Sequence, residues 1–187
     1  VRRNVEVFNA ANPPQTSAMH ALMRSLRRHL PIFTLVPALS FATLLRGDLP
    51  RPEHPRPDFQ RDAWLNLNGE WQFEIDATGD GETRGLMSGQ NLADKIIVPF
   101  CPESKLSGVA NTEYMPHVCY RRSFIVPTEL RARRLLLRFG AVDYRARVWV
   151  NGSLAGEQRG GHVPVAFELT DLVRSGKNDL VLHAIQE

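Results

Sequence analysis

The stretch VWVNGSLAGEQRGGHVPVAFELTD, Val148 to Asp171, decides the fold. Asn151-Gly152 is a strong hairpin signal, because both central residues of a type I′ turn need positive φ. The flanking segments alternate, so Leu154 to Glu157 reads as the return strand of the segment ending at Val150. Gly160-Gly161 lets the chain cross to the next strand, where Val163, Val165 and Phe167 alternate again. Thr170 is placed to cap the short turn DLVRSG, which Gly176 closes. The stretch holds no nucleophile, acid–base pair or metal-ligand cluster, so it specifies a fold rather than a reaction.

Working outward, the same period of two recurs. In GEWQFEID, Trp71, Phe73 and Ile75 share one face while Glu70, Gln72 and Glu74 share the other. Residues 76–95 are polar and glycine-rich and read as a long loop, KIIVP as a short strand stopped by Pro99, and 100–117 as a second irregular stretch. CYRRSFIVP, RRLLLRFGAVD, YRARVWV and DLVLHAIQ supply further strands. About eight or nine short strands with almost no helix predict an all-β, antiparallel sandwich of jelly-roll type, each sheet with one buried and one exposed face.

Ahead of Ala63 the pattern breaks. Prolines at 50, 52, 55 and 57 exclude helix or central strand over 48–62, which reads as a linker or surface strap. Over 23–47, Arg24, Arg27 and Arg28 precede an apolar run from Leu30 to Leu45 with small residues at Ala38, Ser40 and Ala42. That order predicts an export signal and a periplasmic or extracellular location, with an uncleaved membrane anchor or an unrelated disordered tail as the alternative. The run is too short and proline-broken for a stable membrane span, which needs about 20 apolar residues. Residues 1–22 then form an upstream tail ahead of a start at Met19 or Met23, disordered or signal-bearing together with 23–47. The 187 residues thus divide into this tail, the export segment, the strap and a domain over 63–187.

Composition is that of an ordinary globular chain, 43% hydrophobic with net charge +3. Residues 1–62 hold nine arginines against five acids, while 63–187 hold fourteen basic residues against fifteen acids. The folded part therefore lacks the basic face a nucleic-acid partner would need. Cys101 and Cys119 are the only cysteines; even with His117 nearby they fall short of a four-ligand zinc site, and they can pair or pack as small apolar groups. No metal set and no cofactor motif is expected.

Catalytic patterns are equally thin. Glu103, Glu113 and Asp143 fall in loops as carboxylates, but solvated loop charge explains each better than a glycosidase pair. Ser88 follows a loop rather than a strand, the histidines lack ligand spacing, and GGH at Gly160 to His162 lacks the lysine and helix of a phosphate loop. Tyr114 and Tyr144 lie near loops or strand starts and are candidate sugar-stacking faces, whereas Trp71 and Trp149 belong to packed strands.

Several ordered blocks then converge. F-x-A-V-D-Y, V-W-V-N-G, G-G-H-x-P-x-x-F-E-L-T-D and G-x-N-x-L, with LNLNGEWQF, IIVPFCPES and YRRSFIVP upstream, resemble the N-terminal sugar-binding domain of family 2 glycoside hydrolases, the β-galactosidase and β-glucuronidase group. The resemblance covers roughly residues 63–187 and implies a galactose-binding-domain-like jelly roll beside an immunoglobulin-like sandwich and a TIM barrel. It implies that both catalytic glutamates lie on the barrel, which typically takes about 250 residues, so this chain holds no catalytic residue and is expected to be a fragment of an exported glycosidase. Two positions depart from the family: Cys119 stands where tryptophan is common, and His162 where GGY is usual. The loop before YRR approaches the active-site mouth in some members, which points to Asn111 and Glu113 as hydroxyl contacts, beside Tyr114 and Asp143, as substrate-binding candidates. The expected partners are a carbohydrate substrate and the remaining domains of the parent glycosidase. A freestanding carbohydrate-binding module or a structural interaction domain are the alternatives.

Overall fold

The structure, a computed structural model, describes residues 5–9, 49–53, 63–131 and 133–186. These belong to one compact unit, Val1–Gln15 with Leu49–Glu187; the second unit, Thr16–Asp48, and with it the export-like segment, lies outside the described residues, as do 54–62 of the proline-rich strap.

Among the described residues ten strands form, β1 (Val5–Asn9), β2 (Trp64–Asn66), β3 (Gly69–Ile75), β4 (Asp94–Val98), β5 (His117–Ile125), β6 (Leu135–Phe139), β7 (Arg145–Val150), β8 (Ser153–Arg159), β9 (Val165–Glu168) and β10 (Lys177–Ile185). They make a four-stranded sheet ordered β2-β1-β6-β9 and a six-stranded sheet ordered β4-β3-β5-β10-β7-β8. Every pairing is antiparallel. The expected all-β sandwich is therefore what forms. Its core joins Trp71, Phe73, Tyr120, Leu180 and Leu182 of the larger sheet to Val5, Val7, Leu137, Phe139 and Phe167 of the smaller. Phe73–Tyr120 and Phe139–Phe167 meet edge to face, the arrangement favoured by ring quadrupoles.

The opening stretch folds as read. Asn151 and Gly152 have φ of 52° and 83°, both positive as a type I′ turn requires. Asn151 does more than turn: its Nδ2 donates to Leu172 O and Asn178 Oδ1, and its Oδ1 accepts from Asp179 N–H. Thr170 has a different task from the one expected. Its hydroxyl accepts from Leu135 N–H and donates to Glu168, stitching β6 to the end of β9 instead of capping the turn. Val163 is exposed and precedes β9.

Two expectations change. Val5–Asn9, read as part of an upstream tail, runs between β2 and β6, with Val5 and Val7 fully buried. Alternation of valines with Glu6 and Phe8 is the local pattern; a partner strand some 130 positions away fixes the outcome. Second, the central strands of the larger sheet are buried on both faces, because loop 76–93 folds over the outer one. Leu86, Met87 and Leu92 of that loop pack on Cys119, Trp149 and Val181 in a second, smaller core. Burial on both sides explains why β10 reads as the nearly continuous apolar run LVLHAI.

The arginines of YRR fasten this frame. Arg121 forms an ion pair with Asp179 of β10 and donates to Gln90 O and Asn91 in the covering loop. Arg122 donates to the carbonyls of Leu67 and Asn68. On the other side of that corner, Asn68 donates to Pro50 O and Arg51 O, so Leu49–Glu53 lies along the start of β3 like a strap. Among the described residues no helix is long and apolar enough to cross a membrane.

Candidate functional site

At one end of the six-stranded sheet the start of β5 lies beside the end of β10, with His117 opposite Ile185. Loops 99–116 and 140–144 rise around this end and enclose a cavity of about 50 Å³ walled by Cys101, Glu103, Met115, Tyr120, Asp143 and Gln186. Gln186 is held from two sides: its N–H donates to Pro116 O, and its carbonyl accepts from the Tyr114 hydroxyl. Burial pushes the Tyr120 phenol well above its ordinary range, so it stays protonated.

The loop over the cavity is ordered by its own polar groups. Ser104 caps the turn at Leu106 N–H, Ser107 Oγ donates to Ser104 O, and Asn111 Oδ1 accepts from Glu113 N–H. On the opposite wall, Gly161 passes so close to Asp143 that a Cβ there would lie 2.3 Å from its Oδ1. Any larger residue there would have to push the Asp143 side chain aside.

Of the four substrate-binding candidates, the structure brings Asp143 into the cavity wall and Tyr114 to its rim, 69% exposed. Asn111 is committed to the loop turn, and Glu113 points outward at the surface. Cys101 and Cys119 are free thiols; Cys101 shares the cavity with Val118 and Tyr120, whereas Cys119 belongs to the small core on the other side of the sheet. A site that binds a drug-sized ligand occupies roughly 300–1,000 Å³, several times the volume of this half-open cavity. Glu103 and Asp143 also lack the open space in which a glycosidase pair would hold a scissile bond. A larger cleft of about 290 Å³ runs past Gln72, Asn91, Arg121 and Arg122, but both arginines there are already spent on the contacts described above.

Sequence reading missed a second group of chemically capable residues. The pairing of β5 with β10 sets Cys119 directly against His183, and Asp76, just past β3, completes a buried trio whose donor atoms lie within 4.8 Å of one another. Asp76 Oδ1 accepts from Arg84 and Oδ2 from Gly81 N–H. Burial, with His117 adding to it, lowers His183 to about 4, and burial raises the Cys119 thiol to about 12. Three strands far apart in sequence contribute, and nothing local signals their register.

Residues 65–186 match the family described as glycosyl hydrolases family 2, sugar binding domain. The chain belongs to that family. Among curated relatives it is 29% identical over 117 residues to a β-glucuronidase of Bacteroides fragilis, covering 62% of this chain and 15% of the relative. It is 35% identical over 167 residues to a β-galactosidase of an Arthrobacter species, covering 66% of this chain and 16% of the relative. The solved Lactobacillus rhamnosus β-glucuronidase superposes with a TM-score of 0.59 at 34% identity, over 65% of this chain and 21% of that one. This family 2 domain thus spans about a sixth of the length of those two curated relatives. The matched range opens in β2 and closes after β10, so β1 lies outside it.

Proposed function

We propose that this family 2 domain is the non-catalytic, sugar-binding part of a β-glycosidase that hydrolyses O-glycosyl bonds, and that it acts by positioning a catalytic domain. The observation that carries this reading is the match over 65–186 to relatives of which the chain spans only a small share. A small cavity at the sheet end, and a larger cleft whose arginines are already used structurally, fit a supporting rather than a reacting role. The remaining domains of the parent glycosidase are the proposed partners, and β-glucuronides or β-galactosides the proposed substrates of the whole. The purified chain is expected to show no turnover of nitrophenyl β-glucuronides or β-galactosides; inhibitor-sensitive hydrolysis by it alone would overturn the reading.

One observation favours a freestanding carbohydrate-binding module as second reading: Tyr114 and Tyr144 expose ring faces beside the Asp143 wall. Titration calorimetry against galactosides and glucuronides separates the two, since millimolar or tighter binding without other domains supports the module. The basic, apolar and small order of Arg24 to Leu45 supports export. An alkaline phosphatase fusion tests it, and a fusion that is inactive although stably produced argues against export.

A further inference from the structure

We propose that Asp76, Cys119 and His183, with His117 as fourth donor, form a buried zinc-type cation site that clamps loop 76–93 to the outer face of the six-stranded sheet. The first support is geometric. Antiparallel pairing sets Cys119 opposite His183, and His117 lies two residues along β5 on the same face, its ring 5.4 Å from that of His183. Asp76 Oδ2 is 3.9 Å from His183 Nε2.

The second support is what these groups lack. His183 is 3% exposed, and neither of its ring nitrogens has a hydrogen-bond partner; His117 Nδ1 is buried and unpartnered as well. Buried polar groups without a hydrogen-bond partner are costly, so such a cluster is poor core filler. An imidazole lone pair placed on a cation removes that deficit.

The donor set also selects the ion. One thiolate, imidazole nitrogen and one carboxylate suit zinc better than the oxygen-seeking magnesium or calcium. Bond lengths of roughly 2.0–2.3 Å place tetrahedral donors about 3.3–3.8 Å apart, so the spread of Asp76, Cys119 and His183, up to 4.8 Å, needs a contraction of about 1 Å, and the His117 ring must move in to join them. Binding displaces the Cys119 proton to solvent, and the dication with one thiolate and one carboxylate is then neutral. Around them, Arg84 is shared by Asp76, Glu74 and Asp80, and Arg147 faces Glu82 and Glu157, so each of these nearby arginines is matched by carboxylates and Asp76 offers the cation Oδ2, the oxygen that Arg84 does not take. The loop backbone sits directly on the donors: a Cβ at Gly79 would come within 2.9 Å of His117 Nε2, and one at Gly81 within 2.7 Å of Asp76 Oδ2.

The test strips the whole 187-residue chain with a chelator and titrates it with cobalt(II), then zinc. A thiolate-to-cobalt charge-transfer band that saturates at about one equivalent, and is bleached by zinc, is expected. Cys101→Ser should leave the band intact, Cys119→Ser should abolish it, and His183→Gln should weaken zinc binding by at least about tenfold. Absence of the band, or its persistence in Cys119→Ser, overturns the site. Should Cys119→Ser not fold, zinc must slow alkylation of Cys119 in the unmodified chain while leaving Cys101 unaffected; equal labelling with and without zinc likewise overturns it.

Discussion

Deleting residues 1–15 removes β1, and the sandwich should respond as if a core element, not a tail, had been lost. Val5 and Val7 are both 0% exposed, and burying a valine side chain contributes about 1.5–3 kcal/mol, so the pair alone accounts for roughly 3–6 kcal/mol. β2 compounds the loss, since among the described residues β1 is its only partner in the sheet, and β6 would be left with an open edge. Against a total stability of about 5–15 kcal/mol, the deletion should bring the domain close to unfolding. The milder Val7→Ala should cost about 2 kcal/mol, with a visible drop in the guanidinium midpoint at an unchanged slope. Equilibrium denaturation followed by tryptophan fluorescence reads both, and a peptide spanning 1–15 added to the deleted chain should restore part of the loss. Midpoints equal to that of the intact chain would refute the assignment of Val5–Asn9 to the sheet.

Other perturbations test the frame around the site. Asn178 is fully buried, accepts from Arg174 N–H and Asn151, and donates to Arg174 O and Gly176 O, so Asn178→Ala should cost about 2–4 kcal/mol in the same denaturation assay. Arg121→Met strands Asp179, whose side chain is only 18% exposed, and should destabilise by about 3 kcal/mol; adding Asp179→Asn should recover part of that in a double-mutant cycle. Gly161→Ala drives a methyl group into Asp143 and should lower the melting temperature, while Asp143→Ala in the same chain should relieve the effect. If Gly161→Ala is silent, the close approach of the two walls is wrong.

What could be read from the sequence was what local chemistry dictates. The Asn151-Gly152 hairpin, the alternation of β3 and the all-β class follow from φ requirements and the period of two, and each is present. Loop 76–93 was legible as irregular, but its three apolar anchors follow no strand period, so a second core beneath it left no pattern. β1 alternates visibly, yet its pairing with β6 is non-local and its charge and position suggested a tail. The cavity was half legible: Asp143 followed from its place as a loop carboxylate and Tyr114 from its place as an aromatic near a loop, whereas Gln186 and Cys101 join them only because β5 starts where β10 ends. The Asp76, Cys119 and His183 cluster depends on register between three strands, which no single segment encodes. The export-like segment sits between β1 and β2 in sequence, so cleavage after it would part Val5–Asn9 covalently from the sheet that holds it.

The placement of β10 has a further consequence for assembly. It is paired on both sides, by β5 and β7, and so occupies the middle of the larger sheet; its last residues are pinned at the cavity rim by Pro116 and Tyr114. Any polypeptide joined beyond Gln186 must start its path at that rim, beside Asp143 and the exposed tyrosines. A domain joined there would have its junction and the candidate carbohydrate contact in the same place, and a shift in one would be felt directly by the other.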